Sequence, residues 1–163
     1  MKRLLIVWHS RTGAARAMAE AAADGARAEP AVEVRLLRAD EAQASDLLAA
    51  DGYLFAAPEN LAALSGAMKE FFDRTYYAAL EQLNGRPYAA LIAAGSDGQG
   101  AARQLQRIVT GWRLKPIADP TVVCTAAQSP ERILAAKTLG AADRARCAEL
   151  GAAMAAGLSL GIF

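Results

Sequence analysis

The sequence is poor in the residues that build metal sites and disulfide frameworks. Its 163 residues include only two cysteines, Cys124 and Cys147, and one histidine, His9. No CxxC pair or Cys/His cluster occurs, which argues against a structural zinc site and a disulfide-rich fold. We therefore predict no metal site, two cysteines that serve packing, and a histidine that forms structural hydrogen bonds.

Long hydrophobic runs and an excess of one charge are also absent. The apolar run at residues 4–8 is far shorter than a signal-peptide core or the ~20 residues of a membrane span. Lysine and arginine total 18 against 17 aspartates and glutamates, so the basic excess of a nucleic-acid-binding protein is missing. We expect a soluble cytoplasmic protein with no membrane span and no nucleic-acid partner.

Alanine is the most abundant residue, and it accounts for 41 of the 163 positions. Because alanine is the best helix former, much of the apolar content indicates helices rather than a bulky core. The length suits one domain, and no linker or repeat divides it. We therefore predict a single domain over residues 1–163.

Short apolar runs alternate with helical segments along the chain. Runs without polar residues indicate strands that are buried on both faces, as in parallel sheets. We predict an α/β fold, a three-layer doubly wound sandwich whose five-stranded parallel sheet has the flavodoxin-like order 2-1-3-4-5. The predicted strands are residues 4–8, 32–37, 52–57, 88–94 and 117–125. The predicted helices are residues 13–27, 45–50, 65–82, 101–112 and 130–156, with Gly140 as the point where the last would be interrupted.

Ligands of such sheets bind at the carboxyl ends of the strands, and the loop after the first strand suits an anion. Residues 9–15 lead into a helix N-terminus, where free N–H groups and the helix dipole favour negative charge. Ser10 and Thr12 add hydroxyls, and Gly13 permits a close approach of the backbone. The loop matches neither a Walker motif nor the dinucleotide fingerprint, so a monophosphate held without a metal fits best. An ordinary strand-to-helix turn with Ser10 and Thr12 as caps is the alternative.

The loops after the third and fourth strands are weaker signals when each is taken alone. Residues 58–66 are more than a strand-to-helix connection needs, although Ser65 as a helix cap would explain part of the length. Residues 95–100 are rich in glycine and offer several N–H groups, although a polar turn before a helix has the same composition. Three such loops at the same edge of one sheet favour a binding site.

The three loops together resemble those of a known family. The sequence Ser10-Arg11-Thr12-Gly13 is similar to the phosphate loop of flavodoxins. Residues 58–69 with Phe72 resemble the flavin loop and following helix of NAD(P)H-dependent FMN oxidoreductases of the WrbA-like branch. The run from Gly95 is similar to the third flavin-contacting loop of that branch. The resemblance covers essentially the whole chain.

This resemblance implies FMN as the cofactor. It places the phosphate at residues 10–15 and the isoalloxazine ring between residues 58–61 and 94–99. The cofactor-binding residues that it implies are Ser10, Arg11, Thr12, Gly13, Ala14, Ala15, Pro58, Glu59, Asn60, Leu61, Ala94, Gly95, Ser96, Asp97, Gly98 and Gln99.

The resemblance also implies an oxidoreductase that takes hydride from NAD(P)H, a transient donor, and passes electrons to a quinone or similar small acceptor. The cofactor carries such chemistry, and we expect no catalytic side chain. A flavodoxin-type one-electron carrier between protein partners is one alternative, and a non-enzymatic binding module of the same fold is another. The near-neutral charge and the absence of Trp and Tyr from the loops favour the oxidoreductase over the acidic carrier. The intact Ser-x-Thr-Gly motif and both later loops argue against the binding module, and Ala15, where the motif commonly has a second threonine, keeps that alternative open.

The backbone of the second loop bears on the same choice. Residues 58–63 contain no glycine, so a positive φ is unfavourable there except at Asn60. A peptide flip that offers a hydrogen-bond acceptor to a reduced flavin is therefore expected to be difficult, which also favours the oxidoreductase.

Two apolar stretches predict self-association. Residues 71–77 are aromatic on all sides of a helix, and residues 158–163 form an apolar tail. For residues 71–77, a fully buried helix is an equal alternative to a dimer surface or a wall of the flavin site. Exposed apolar patches commonly mark interfaces, and two-fold dimers are the commonest soluble oligomers. We expect a homodimer.

Overall fold

A computed structural model describes residues 1–163 as seven strands and six helices. The strands are β1 (Lys2–Trp8), β2 (Val32–Arg38), β3 (Gly52–Asn60), β4 (Ala63–Leu64), β5 (Pro87–Ala94), β6 (Lys115–Pro116) and β7 (Thr121–Cys124). The helices are α1 (Ala14–Ala26), α2 (Ala44–Ala49), α3 (Gly66–Ala79), α4 (Gln99–Gly111), α5 (Pro130–Leu134) and α6 (Ala141–Leu160).

A parallel sheet forms the middle layer. Its strands lie in the order β2-β1-β3-β5, and β6 and β7 share the next position. β6 pairs with the beginning of β5 and β7 with its end, both in parallel. Pro120 lies between the two, where its missing N–H interrupts the ladder. The predicted order 2-1-3-4-5 is thus confirmed, with the fifth strand split in two.

Each central strand contributes to two hydrophobic cores. Leu5 and Val7 of β1 pack in one core with Phe55 of β3, beneath α2, α3 and α4. The alternate residues Leu4 and Ile6 pack in the other core, beneath α1 and α6. Because successive side chains point to opposite faces, a strand covered on both sides must be apolar throughout. This is why the apolar runs predicted the strands well.

The alanine content lets α1 and α6 pack almost backbone against backbone. A Cβ added at Gly151 of α6 would lie 1.9 Å from the carbonyl oxygen of Ala22 in α1. A Cβ added at Gly25 would lie 2.0 Å from the carbonyl oxygen of Ala148. No side chain fits at either point, so this helix pair depends on the two glycines.

The third strand differs from its prediction. Pro58 does not end it, since β3 continues to Asn60 and pairs antiparallel with β4 through Asn60 and Ala63. Leu61 and Ala62 form the two-residue turn with φ of 51° and 63°. The expectation that only Asn60 in this loop accepts a positive φ is therefore wrong. A two-residue hairpin turn of the I′ type has positive φ at both central positions, at a cost of ~1–2 kcal/mol for each residue other than glycine.

The last predicted helix is divided. α5 ends at Leu134, and α6 begins after Gly140. In a continuous helix the N–H of Lys137 would bond the carbonyl of Ile133, but here it donates to the carbonyl oxygen of Thr12 at 2.7 Å. A bond to the first loop has replaced a helical one, and residues 135–140 cross that loop.

Most of the aromatic stretch belongs to the core. Phe71 and Phe72 are buried, and the Nε1 of Trp112 donates to the carbonyl oxygen of Tyr76 at 3.0 Å. Tyr77 remains exposed, as do Leu160 and Ile162 in the C-terminal tail. The surface that could support self-association is thus smaller than the sequence predicts, and the homodimer stays a prediction.

No helix combines the length and apolar character needed to cross a membrane. The longest, α6, carries Asp143, Arg144, Arg146 and Glu149 among its 20 residues.

The helix contact at Gly151 gives a prediction for stability. Gly151→Ala should lower the free energy of unfolding by ~1–3 kcal/mol, because the new methyl group forces the two backbones apart. Gly66→Ala is the matched control, since Gly66 is also helical and its Cβ would meet nothing within 4 Å. Urea denaturation of both variants measures the difference. Equal stability of the two variants would show that the helices separate without cost.

The exposed apolar residues give a prediction for assembly. Light scattering at micromolar concentration should give the mass of a dimer, and Tyr77→Ser combined with Ile162→Ser should reduce that mass. A monomer mass for the unmodified chain would contradict the homodimer.

Candidate functional site

A cavity of about 350 Å³ lies at the carboxyl ends of β1, β3 and β5, where the three loops meet. Ten of the sixteen residues predicted from the sequence line it: Ser10, Arg11, Thr12, Ala14, Ala15, Pro58, Glu59, Asn60, Ala94 and Gly95. Gly13, Leu61, Ser96, Asp97, Gly98 and Gln99 are not among the lining residues.

The first loop exposes the N-terminus of α1 to the cavity. Gly13 has a φ of 110° and donates its N–H to the hydroxyl oxygen of Ser10 at 3.0 Å. The first hydrogen bond of the helix runs from the N–H of Ala17 to the carbonyl of Gly13 at 2.9 Å. The N–H groups of residues 14–16 thus have no helical partner, and the Ser10 hydroxyl keeps its own proton to donate. This is a donor set for an anion.

Glu59 joins the second loop to the third. One carboxylate oxygen accepts from the N–H of Gly98 at 2.9 Å, and the other accepts from the N–H of Ala101 at 3.0 Å. A carboxylate at a helix N-terminus satisfies free donors and interacts favourably with the helix dipole. The N–H of Gly98, expected from the sequence to face a ligand, instead binds Glu59.

The hairpin of β3 and β4 packs closely against α4. A Cβ at Gly100 would lie 2.0 Å from the carbonyl oxygen of Ala62, so only glycine permits this contact. The side-chain oxygen of Gln104 also accepts from the N–H of Leu64 at 2.7 Å. These contacts stabilise the turn with its two positive φ values. Leu61 at its tip is fully exposed and points away from the protein.

One wall of the cavity was not predicted from the sequence. Residues 125–140, which we call the strap, form this wall. The strap follows β7, and the N–H of Thr125 bonds the carbonyl of Ala94 at the end of β5 at 2.8 Å. Further along, the N–H of Lys137 bonds the carbonyl of Thr12. The missed lining residues are Ala93, on β5, and Thr125, Ala127, Ile133, Leu134 and Lys137 of the strap. The sequence carried no signal for this wall, because residues 130–156 were predicted as one helix; in the structure Ile133 and Leu134 are exposed on the short α5.

Cations dominate the charge around the first loop. The Lys137 ammonium lies 3.5 Å from the hydroxyl oxygen of Thr12. The Nε of Arg11 donates to the amide oxygen of Asn60 at 3.1 Å in the amide orientation that satisfies both ends of that group. Glu59 is the carboxylate that lines the cavity, and N–H donors occupy both of its oxygens. The cavity is therefore electropositive at the N-terminus of α1.

His9 connects the first loop to α3. Its Nδ1 lies 2.8 Å from the hydroxyl oxygen of Ser65, the residue that precedes the helix. Burial lowers the pKa of His9, and the nearby Arg11 guanidinium lowers it further. The ring is thus neutral at pH 7 and forms a structural hydrogen bond. Ser65 occupies the cap position, but its hydroxyl bonds His9 and caps no helical N–H.

The residues fit a phosphate monoester attached to a flat ring. Hydroxyls, helix N–H groups and two cations converge at one end, which suits a phosphate dianion. Small or apolar side chains, Pro58, Ala93, Ala94 and Leu134, line other parts of the same cavity. FMN combines these two chemistries in one molecule.

Comparisons with known proteins agree with this geometry. The sequence model of the family described as "NADPH-dependent FMN reductase" matches residues 1–129. A flavodoxin of Aquifex aeolicus (strain VF5) is 36% identical over 110 residues, which are 68% of this chain and 60% of that protein. An NAD(P)H dehydrogenase (quinone) of Acidithiobacillus ferrooxidans is 32% identical over 95 residues, 46% of this chain and 48% of that protein. The chain thus spans less than two thirds of the length of both relatives.

A solved structure shows the same fold. The crystal structure of a flavodoxin, WrbA-like protein from Agrobacterium tumefaciens superposes with a TM-score of 0.73 over 98% of this chain and 99% of that one. The two sequences are 16% identical, so this likeness concerns the fold alone.

The Glu59 contacts give a prediction for the stability of the site. Glu59→Gln places an amide NH₂ against one of two N–H donors, and we expect a loss of ~1–3 kcal/mol in the free energy of unfolding. Glu20→Gln is the control, because Glu20 forms an exposed helical pair with Arg16, of a kind worth ~0.3–0.5 kcal/mol. Denaturant titration measures both variants. If Glu59→Gln lowers the free energy of unfolding no more than Glu20→Gln does, the Glu59 cap does not contribute to stability.

Proposed function

The chain belongs to the NADPH-dependent FMN reductase family, as its three loops predict, and we propose that it binds FMN and acts as an NAD(P)H-dependent oxidoreductase on a quinone or similar small acceptor. The observation that carries this proposal is the cavity in which an anion-binding helix N-terminus and a small-residue apolar wall meet. Both relatives named above support the family, and the one from Acidithiobacillus ferrooxidans is named for quinone reduction.

The first loop would hold the phosphate. The hydroxyls of Ser10 and Thr12 donate, together with the unpaired N–H groups at the start of α1. Ala15 provides only its backbone N–H, where the related motif has a second threonine. Arg11 and Lys137 add positive charge, which compensates for the missing hydroxyl.

The second and third loops would hold the ring. When bound, FMN accepts hydride from NAD(P)H and passes electrons to the acceptor. Pro58, Asn60 and Ala94 line the cavity between these loops, and the Glu59 contacts fix the loops relative to each other. No aromatic side chain lines the cavity, so nothing of that size would cover a bound ring. The chain's contribution is to bind, orient and leave a face accessible to a second flat molecule.

A one-electron carrier is the second candidate. The flavodoxin of Aquifex aeolicus supports it, and so does the backbone of the second loop. Leu61 and Ala62 already have positive φ values, so the lack of glycine no longer argues against a peptide flip. The preference for the oxidoreductase therefore rests on the open cavity and the balanced charge.

One experiment distinguishes these functions. The chain loaded with FMN is mixed anaerobically with NADH or NADPH, and the flavin absorbance is followed. Because the cavity leaves a ring face accessible, we expect rapid bleaching in a single two-electron step with at least one nucleotide.

Thr12→Ala should weaken FMN binding roughly tenfold to a hundredfold if its hydroxyl bonds the phosphate.

Two results would contradict the proposed oxidoreductase, and they can be told apart. Bound FMN that neither nucleotide reduces would favour the carrier. A well-folded chain that shows no saturable FMN binding would refute both flavin functions and favour a binding module.

A further inference from the structure

We propose that Lys137 of the strap is a binding residue for the phosphate group and that it makes the site select FMN over riboflavin. This inference rests on the proposed FMN site and names a residue that the sequence motif does not contain. Lys137 follows the motif by 125 positions, and the fold brings it back to the phosphate loop.

The backbone of the strap is fixed to the phosphate loop. The N–H of Lys137 donates to the carbonyl of Thr12 at 2.7 Å. A Cβ at Gly13 would lie 3.1 Å from the carbonyl oxygen of Lys137, so the two backbones are in near contact on the other side as well. Lys137 is thus positioned at the N-terminus of α1 by main-chain contacts that do not depend on its side chain.

The side chain turns its charge toward the cavity. The ammonium donates to the carbonyl oxygens of Ile133 at 3.0 Å and Ala135 at 2.6 Å, and lies 3.5 Å from the Thr12 hydroxyl oxygen. These acceptors are uncharged, so the positive charge has no carboxylate partner there. Lys137 is also half-buried within a mostly exposed segment, and it lines the cavity beside Ser10 and Thr12.

The break between α5 and α6 helps to position the side chain of Lys137. The carbonyl of Ile133 loses its helical partner when the N–H of Lys137 turns to Thr12, and the ammonium of the same residue takes that place. The C-terminus of α5 therefore holds the lysine in one position. An ammonium that is already ordered loses little conformational freedom when a dianion arrives.

The experiment compares FMN with riboflavin, which has the same ring and lacks the phosphate. The dissociation constants of both are measured by flavin fluorescence for the unmodified chain, Lys137→Gln and Lys137→Arg. Lys115→Gln is the control, because Lys115 is exposed on β6 and does not line the cavity. We expect Lys137→Gln to weaken FMN about 10- to 100-fold, the range of a charged hydrogen bond, and to leave riboflavin within about twofold. Lys137→Arg and Lys115→Gln should bind FMN nearly as the unmodified chain does.

Each other outcome overturns the proposal. Equal weakening of FMN and riboflavin by Lys137→Gln would indicate a structural role, and no change in either would indicate no role. Riboflavin binding also reports whether the variant has folded. If the unmodified chain binds neither flavin, the proposed function fails and this inference fails with it.

A second measurement does not depend on a variant. The chain has four lysines, so the side-chain resonances of lysine-labelled protein are few. The Lys137 signal should shift on adding FMN and stay in place on adding riboflavin. A signal that is indifferent to both, in protein that binds both, would overturn the proposal.

Discussion

The close approach of α1 and α6 is the constraint on which the remaining structure depends. Gly25 and Gly151 let the two helices meet through their backbones, and alanines fill most of the surface between them and the sheet. The N-terminus of α1 is the electropositive end of the cavity, and the N-terminus of α6 follows the strap. When the helices are brought this close, the strap must cross the first loop, where the N–H of Lys137 meets the carbonyl of Thr12.

The other half of the site depends on one carboxylate. Glu59 projects from the hairpin of β3 and β4 to the N-terminus of α4, and Gly100 allows the turn at Ala62 to contact the same helix. The two loops therefore form one unit. The Glu59 carboxylate on the cavity wall is occupied by these structural hydrogen bonds, so the electric field in the cavity stays positive.

The sequence predicted the parts of the fold that local patterns determine. Continuous apolar runs such as residues 52–57 indicated strands buried on both faces, and the loop after β1 was predicted to line a site, as Ser10 and Thr12 do. The turn at Leu61 and Ala62 could not be predicted, since neither residue favours a positive φ and the contact with Gly100 that sustains it lies far along the chain. The strap was missed for the same reason. Its sequence after Pro130 suits a helix, but α5 ends at Leu134 and the N–H of Lys137 bonds the carbonyl of Thr12, a residue far away in the sequence.

The two ends of the cavity have different chemistries, and this separates two kinds of specificity. Under the proposed function, hydroxyls, helix N–H groups and cations at the N-terminus of α1 would distinguish a ligand that carries a phosphate from one that does not. Small side chains such as Ala93 and Ala94 at the other end place little restriction on the shape of a ligand. Under the proposed function, such a site would select its cofactor through the charged end and would admit a range of second molecules at the apolar end. The one carboxylate that lines the cavity, Glu59, has both oxygens bonded to backbone N–H groups. The side chains there are thus arranged to bind and orient, which is what a redox cofactor would require of the protein.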